Sequence, residues 1–112
     1  MAKKQITLYL QKPKPRLGEW LRRLRQERKL ALREVAAAVG MDQAHLSKAE
    51  LGQRLPTSEQ ANRLAHFFQV PSDQIEARRL AERAMQEIAA SPVAAQALLI
   101  LREESIEYVT KR

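Results

Sequence analysis

Gly40–Leu51, G-M-D-Q-A-H-L-S-K-A-E-L, with Gly52 directly after, is the stretch whose reading decides the fold. Gly40 suits a tight turn. Asp42 suits a helix N-cap, where a carboxylate can accept free amides of the first turn. Gly52 suits the left-handed position just past a helix end. Between them the spacing predicts a short helix over Asp42–Leu51, with Leu46, Ala49 and Glu50 on one side and Gln43, Ala44, Ser47 and Lys48 on the other. A helix over Leu32–Val39, with Val35, Ala36 and Val39 on one face, precedes it too closely for any long loop.

Two helices joined this tightly predict a helix-turn-helix, whose second member is free to enter a DNA groove. Outward from that pair the periodicities continue. Leu17–Arg28 reads as a first helix, with Leu17, Leu21, Leu24 and Arg28 repeating at threes and fours. Thr57 and Gln60 form a T-x-x-Q capping box opening a fourth helix, whose buried stripe is Ala61, Leu64, Ala65 and Phe68. A fifth helix runs from Ser72 or Asp73 to about Ala90, with Ile75, Leu80, Ala84 and Ile88 as its apolar edge. Ser91-Pro92 predicts a stop and restart, and a sixth helix covers about Pro92 to Glu104. At the ends, Ile6, Leu8 and Leu10 alternate as in a strand, and Ile106–Thr110 could pair with them. Between the leader and the first helix, K-P-K-P-R at 12–16 prevents a helix from starting.

The 112 residues suffice for one core, and 45% of them are hydrophobic. There is no cysteine, so disulfides and thiolate metal sites are excluded. No apolar run is long enough to span a bilayer, and the N-terminus lacks the apolar stretch of a secretory signal. A cytoplasmic protein is expected, without a membrane partner. The net charge of +7 is unevenly placed. Residues 1–54 hold 13 basic and 5 acidic side chains, net +8, whereas residues 55–112 hold 7 and 8, net −1. The positive field thus belongs to the half with the helix-turn-helix, as a polyanion partner requires.

Residues 17–70 resemble the Cro/C1-type (XRE-type) helix-turn-helix domain of bacterial and phage regulators. The resemblance is carried by L-x-x-x-L-x-x-L-R in the first helix, V-A-A-A-V-G-M before the turn, H-L-S-K-A-E-L-G from the third helix, Pro56, and L-A-H-F-F-Q-V-P of the fourth. It implies a mainly α fold, a five-helix bundle; the periodicities outside it add a long fifth helix, a sixth, and short strands as an option at both termini. It also implies operator binding as a dimer. The domains expected are a basic strand, arm and linker at 1–16, a DNA-binding domain at 17–76, and a helical dimerisation or partner-binding extension at 77–112.

The outward face of the third helix supplies groups that read base edges. Gln43 can pair with adenine, Lys48 can donate to guanine, Ala44 can touch a thymine methyl, and Ser47 lies on the same face. His45, at the flank, is expected on phosphate. The resemblance places Gln53 and Arg54 in the loop that approaches the backbone, and Arg33 at the start of the second helix, where amides and the helix dipole favour an anion. The polar cap and Gln that family members carry just before that point are Ala31 and Leu32 here. The resemblance further implies a structural salt bridge between Arg25 and Glu50, tying the first helix to the third.

Lys3, Lys4, Lys12, Lys14 and Arg16 make a basic leader, read either as an arm along DNA or as a strand and linker. The sixth segment, V-A-A-Q-A-L-L-I-L, is apolar on nearly all sides and needs cover from more than one direction. A homodimer interface through the C-terminal helices is the economical reading. Packing on its own chain, or binding a toxin-like protein partner as antitoxins do, are the alternatives. With two histidines, no cysteine and no glycine-rich phosphate loop, no catalytic set can be assembled, and neither enzyme activity nor a metal or cofactor is expected.

Overall fold

The computed structural model describes residues 16–110. The N-terminal strand and arm expected before Arg16 lie outside the described residues. Within them the chain forms six helices: α1 Leu17–Glu27, α2 Leu32–Val39, α3 Gln43–Glu50, α4 Ser58–Phe68, α5 Ser72–Ala89 and α6 Ala94–Thr110. It divides into two units, one over residues 16–84 and one containing the end of α5 and all of α6.

The core of the first unit gathers one stripe from each helix. α1 gives Leu17, Leu21 and Leu24, α2 gives Val35, Ala36 and Val39, and α3 gives Leu46. α4 gives Ala61, Leu64, Ala65 and Phe68, and Ile75 of α5 is fully buried among them. A fully buried side chain of this size contributes about 1.5–3 kcal/mol.

The turns follow from local chemistry. Gly40 ends α2 at φ +66°, and Met41 N–H then bonds the Ala36 carbonyl at 2.8 Å. Gly52 ends α3 at φ +75°, with Gln53 N–H on the Lys48 carbonyl at 2.9 Å. Lys29 and Gln69 adopt the same left-handed backbone after α1 and α4, at φ 54° and 57°, and as non-glycine residues they carry its steric cost. At the start of α4 the capping box closes in both directions. Gln60 N–H bonds Thr57 Oγ1 at 3.1 Å, and Thr57 N–H bonds Gln60 Oε1 at 2.9 Å. Asp42 occupies the N-cap position of α3, but its side chain makes no capping bond.

The first half of α5 is fastened to the bundle by cations. The Arg78 guanidinium lies 4.0 Å from the centre of the Trp20 ring, Arg79 Nε donates to the Pro56 carbonyl at 2.8 Å, and Arg16 Nε pairs with Glu82 at 3.1 Å. Burial pushes the Arg78 pKa below its usual value. These contacts lie within the first unit, which runs to Ala84.

Two expectations for the C-terminal segment are corrected. Pro92 does not open α6: Ser91 Oγ accepts from Val93 N–H at 3.2 Å, and the helix begins at Ala94. The segment Ser105–Thr110, for which a strand was one option, is the last part of α6, and Thr110 Oγ1 bonds the Ile106 carbonyl at 2.8 Å. A lone strand would leave its amides and carbonyls unpaired, whereas extending an existing helix adds one bond per residue. The good helix formers Arg102, Glu103 and Glu104 lead into it.

Gly18 is the tightest point of the bundle. A Cβ there would lie 2.5 Å from the Glu50 carbonyl oxygen and would overlap that of Ala49. Backbone stands in the way, so no side chain can move to relieve it. Gly18→Ala is expected to cost about 2–3 kcal/mol despite the better helix propensity of alanine. Gln69→Gly is expected to add about 0.5–1 kcal/mol by removing left-handed strain. Urea unfolding followed by the fluorescence of Trp20, the sole tryptophan, measures both. A neutral Gly18→Ala would show that α1 and α3 are not in close contact there.

Candidate nucleic-acid interface

α3 alternates in pairs along its eight residues. Gln43 and Ala44 are exposed, His45 and Leu46 buried, Ser47 half-buried, Lys48 exposed, and Ala49 and Glu50 buried. One face is therefore seated in the bundle, while Gln43, Ala44, Ser47 and Lys48 share the other at spacings of one, three and four. Together they present an amide, a methyl, a hydroxyl and an ammonium within one helix length.

The seat of α3 is built from α1. Arg25 Nε donates to Glu50 Oε2 at 2.7 Å and Arg25 Nη2 to Glu50 Oε1 at 2.9 Å, a two-pronged pair. The third prong, Nη1, donates to the Leu30 carbonyl at 2.9 Å and so holds the loop before α2. Both side chains are largely out of solvent. Hydrogen bonding to Glu50 holds the Arg25 pKa above its already high usual value, against the opposing pull of burial. The guanidinium stays charged. A few residues earlier, Gly18 lets the α1 backbone touch the last carbonyls of α3. α1 thus holds the end of α3 by contact and by charge.

His45 is not where the sequence placed it. Its side chain is buried, with Nε2 3.5 Å from the Leu55 carbonyl and Nδ1 3.4 Å from Gln60 Nε2. A proton on Nε2 serves both long contacts, tying α3 to the cap of α4. An inward ring has no path to phosphate, so His45 leaves the set of phosphate contacts. The signal was present: His45 lies four residues before Ala49 and next to Leu46, on the inward side.

The remaining cationic and polar candidates are on the surface. Arg33, in the first turn of α2, is exposed, as are Gln53 and Arg54 after Gly52. The start of α2 differs from the anion site expected there. Glu34 Oε1 accepts the Ala31 N–H at 2.9 Å, so a carboxylate already occupies that amide. Asp42 is exposed beside Gln43. Arg22, Arg23 and Lys29 are exposed as well, and Arg23 pairs with Glu19 at 3.8 Å. Arg28, placed on the apolar stripe by its spacing, sits 5.2 Å from the centre of the Phe68 ring and donates to the Leu24 and Phe68 carbonyls. His66 is exposed beside a shallow groove that Val39, Arg63 and Phe67 also line. Among the described residues no group of His, Cys, Asp or Glu could hold a metal ion, and no helix is long and apolar enough to cross a membrane.

Residues 16–80 match the family described as a helix-turn-helix domain. The chain belongs to that family. Neither a curated protein nor a solved structure matches the chain.

Removing one partner of the buried pair strands the other charge. Arg25→Met is expected to destabilise the protein by about 3–5 kcal/mol, and adding Glu50→Leu to restore most of that loss. Chemical denaturation of both variants reads the difference. A loss below about 1 kcal/mol for Arg25→Met would place the pair among the weak surface bridges and remove it as the seat of α3.

Proposed function

We propose that the protein is a sequence-specific DNA-binding regulator that represses transcription and has no enzymatic activity. The observation that carries this reading is the outward face of α3, with Gln43, Ala44, Ser47 and Lys48 on a helix whose other face is fixed to the bundle. A helix of this kind fits the major groove, where these four groups have partners on base edges. Arg33, Gln53 and Arg54 are assigned to the flanking phosphates, where they set register and not sequence. The concentration of positive charge in residues 1–54 supports attraction to a polyanion over several ångströms.

Two copies acting on a two-fold-symmetric operator complete the reading. One α3 is eight residues long and offers few base contacts. Two of them, about 34 Å apart, double the sequence read and match one turn of DNA. Such a protein works where the genome lies, in the cytoplasm of a bacterial cell. A second reading rests on the apolar side chains exposed on α6. In that reading the protein is an antitoxin-like chain that binds a toxin partner and represses its own promoter, and the native protein purifies with a second, different chain.

Binding to duplexes selected by the protein tests the assignment. The Gln43→Ala and Lys48→Ala variants are each expected to lose about 1–3 kcal/mol of specific binding while retaining affinity for random duplex. Arg54→Ala is expected to weaken both alike and to make the slope of log affinity against log salt less negative by about 0.9. Specific binding unchanged in both α3 variants would show that another surface reads the DNA.

A further inference from the structure

We propose that Leu51 is a specificity-determining residue that recognises the C5-methyl group of a thymine; this rests on the reading of α3 as the helix that enters the major groove. Burial singles the residue out. From Leu17 to Phe68 every Val, Leu, Met, Phe and Trp is buried or half-buried except Leu51, which is 61% exposed. A single exposed leucine is ordinary by itself, so its place on α3 decides what it can do.

Leu51 continues the spiral of α3 by one step. Its backbone is right-handed helical at φ −83° and ψ −2°, and its N–H bonds the Ser47 carbonyl at 3.1 Å. At about 100° per residue, the seven steps from Ala44 bring it back to within ~20° of the Ala44 direction. Ser47 and Lys48 lie on either side of that line. Leu51 therefore extends the outward stripe of Ala44, Ser47 and Lys48, and not the inward one of Leu46, Ala49 and Glu50. Gly52 then turns the chain at φ +75°, and a Cβ on it would meet nothing within 4 Å, so the chain leaves open space beside Leu51.

The surroundings select the ligand. Lys48 before it, and Gln53 and Arg54 after it, are exposed. One leucine among polar and cationic groups does not make the centre of a lasting protein interface, which is apolar and depleted of charge. A polyanion that carries methyl groups suits both kinds of side chain. On the major-groove edges of DNA the apolar group is the C5-methyl of thymine, and the remaining groups are hydrogen-bond donors and acceptors. Leucine cannot bond to those. Set against one, it would strip water from it and return nothing, which penalises the other bases. At about 1.5 Å per residue, Leu51 stands roughly 10 Å along the helix from Ala44, about three base-pair steps of 3.4 Å. The outward face thus has a methyl-seeking group at each end, with Ser47 and Lys48 between them.

Exchange of thymidine for deoxyuridine removes the methyl group and leaves base pairing intact, so it tests this contact alone. Each thymidine of a duplex selected by the full-length wild type is exchanged in turn, and affinity is measured by fluorescence anisotropy of labelled DNA. The wild type is expected to lose about fourfold at the thymidine facing Leu51, the worth of one buried methyl group. Leu51→Ala is expected to bind the selected duplex about tenfold more weakly, to bind random duplex as before, and to be indifferent to the exchange at that one position. Leu51→Met is expected to recover most of the loss. Urea unfolding checks that the exposed substitution leaves the fold intact. A selected site without thymidine, a wild type indifferent to every exchange, or a response that persists in Leu51→Ala at every position overturns the proposal. Equal weakening of Leu51→Ala on selected and random duplex also overturns it. The Gln43→Ala and Lys48→Ala variants separate this failure from that of the parent reading. If they lose specific binding while Leu51→Ala does not, α3 reads DNA without Leu51. If all three bind as the wild type does, or no duplex is enriched, both fall.

Discussion

The orientation of α3 depends on its attachment to α1 through the Arg25–Glu50 pair. Two hydrogen bonds of 2.7 and 2.9 Å fix the guanidinium plane to the carboxylate, and a third bond holds the Leu30 carbonyl. A helix of eight residues has little stability of its own and gains its order from what it rests on. The pair specifies an angle, which apolar contact alone does poorly. Leu46 and Ala49 supply the burial, Gly18 supplies the close approach, and the ion pair limits rotation about the helix axis. Rotation decides which side chains face outward, so the identity of the outward face follows from a contact on the opposite side of the helix.

The two ends of α3 are held differently. At its C-terminal end, Gly52 in the left-handed conformation closes the last turn. At its N-terminal end, Asp42 makes no side-chain cap and stays exposed next to Gln43. His45 adds a tie from the inner face towards Leu55 and Gln60. Gln43, Ala44, Ser47 and Lys48 thus stand on a helix, while Gln53 and Arg54 follow on a loop. That division suits their proposed roles, since base edges demand closer placement than phosphates do.

Most of the first unit was legible in the sequence because its helices obey simple periodicity. Leu17, Leu21 and Leu24, or Ala61, Leu64, Ala65 and Phe68, can be placed on a buried face from spacing alone. The T-x-x-Q box and the two glycines mark helix ends by mechanisms that act within four residues. What stayed hidden depends on distant contacts. Nothing around Gly18 reveals that the end of α3 will touch it. Arg78 over Trp20 is likewise a choice made by the assembled bundle, whereas Glu34 on the Ala31 amide acts over three residues and was missed because Ala31 itself offers no capping side chain. The resemblance, and not the spacing, supplied the Arg25–Glu50 pair. His45 was misplaced because a polar residue at the edge of a stripe was read outward on chemical type, although its position pointed in. The tail of α6 was misread because β-branched residues raise strand propensity, a weak preference that a helix already under way overrides.

The central claim is that α3 reads sequence, and that it does so twice across a two-fold axis. The most direct measurement is selection of bound duplexes from a random pool. A two-fold-symmetric motif is expected, with half-sites centred about one DNA turn apart, ~10 base pairs. A pool that shows no enrichment after repeated rounds in dilute salt, or a motif without symmetry, would contradict it.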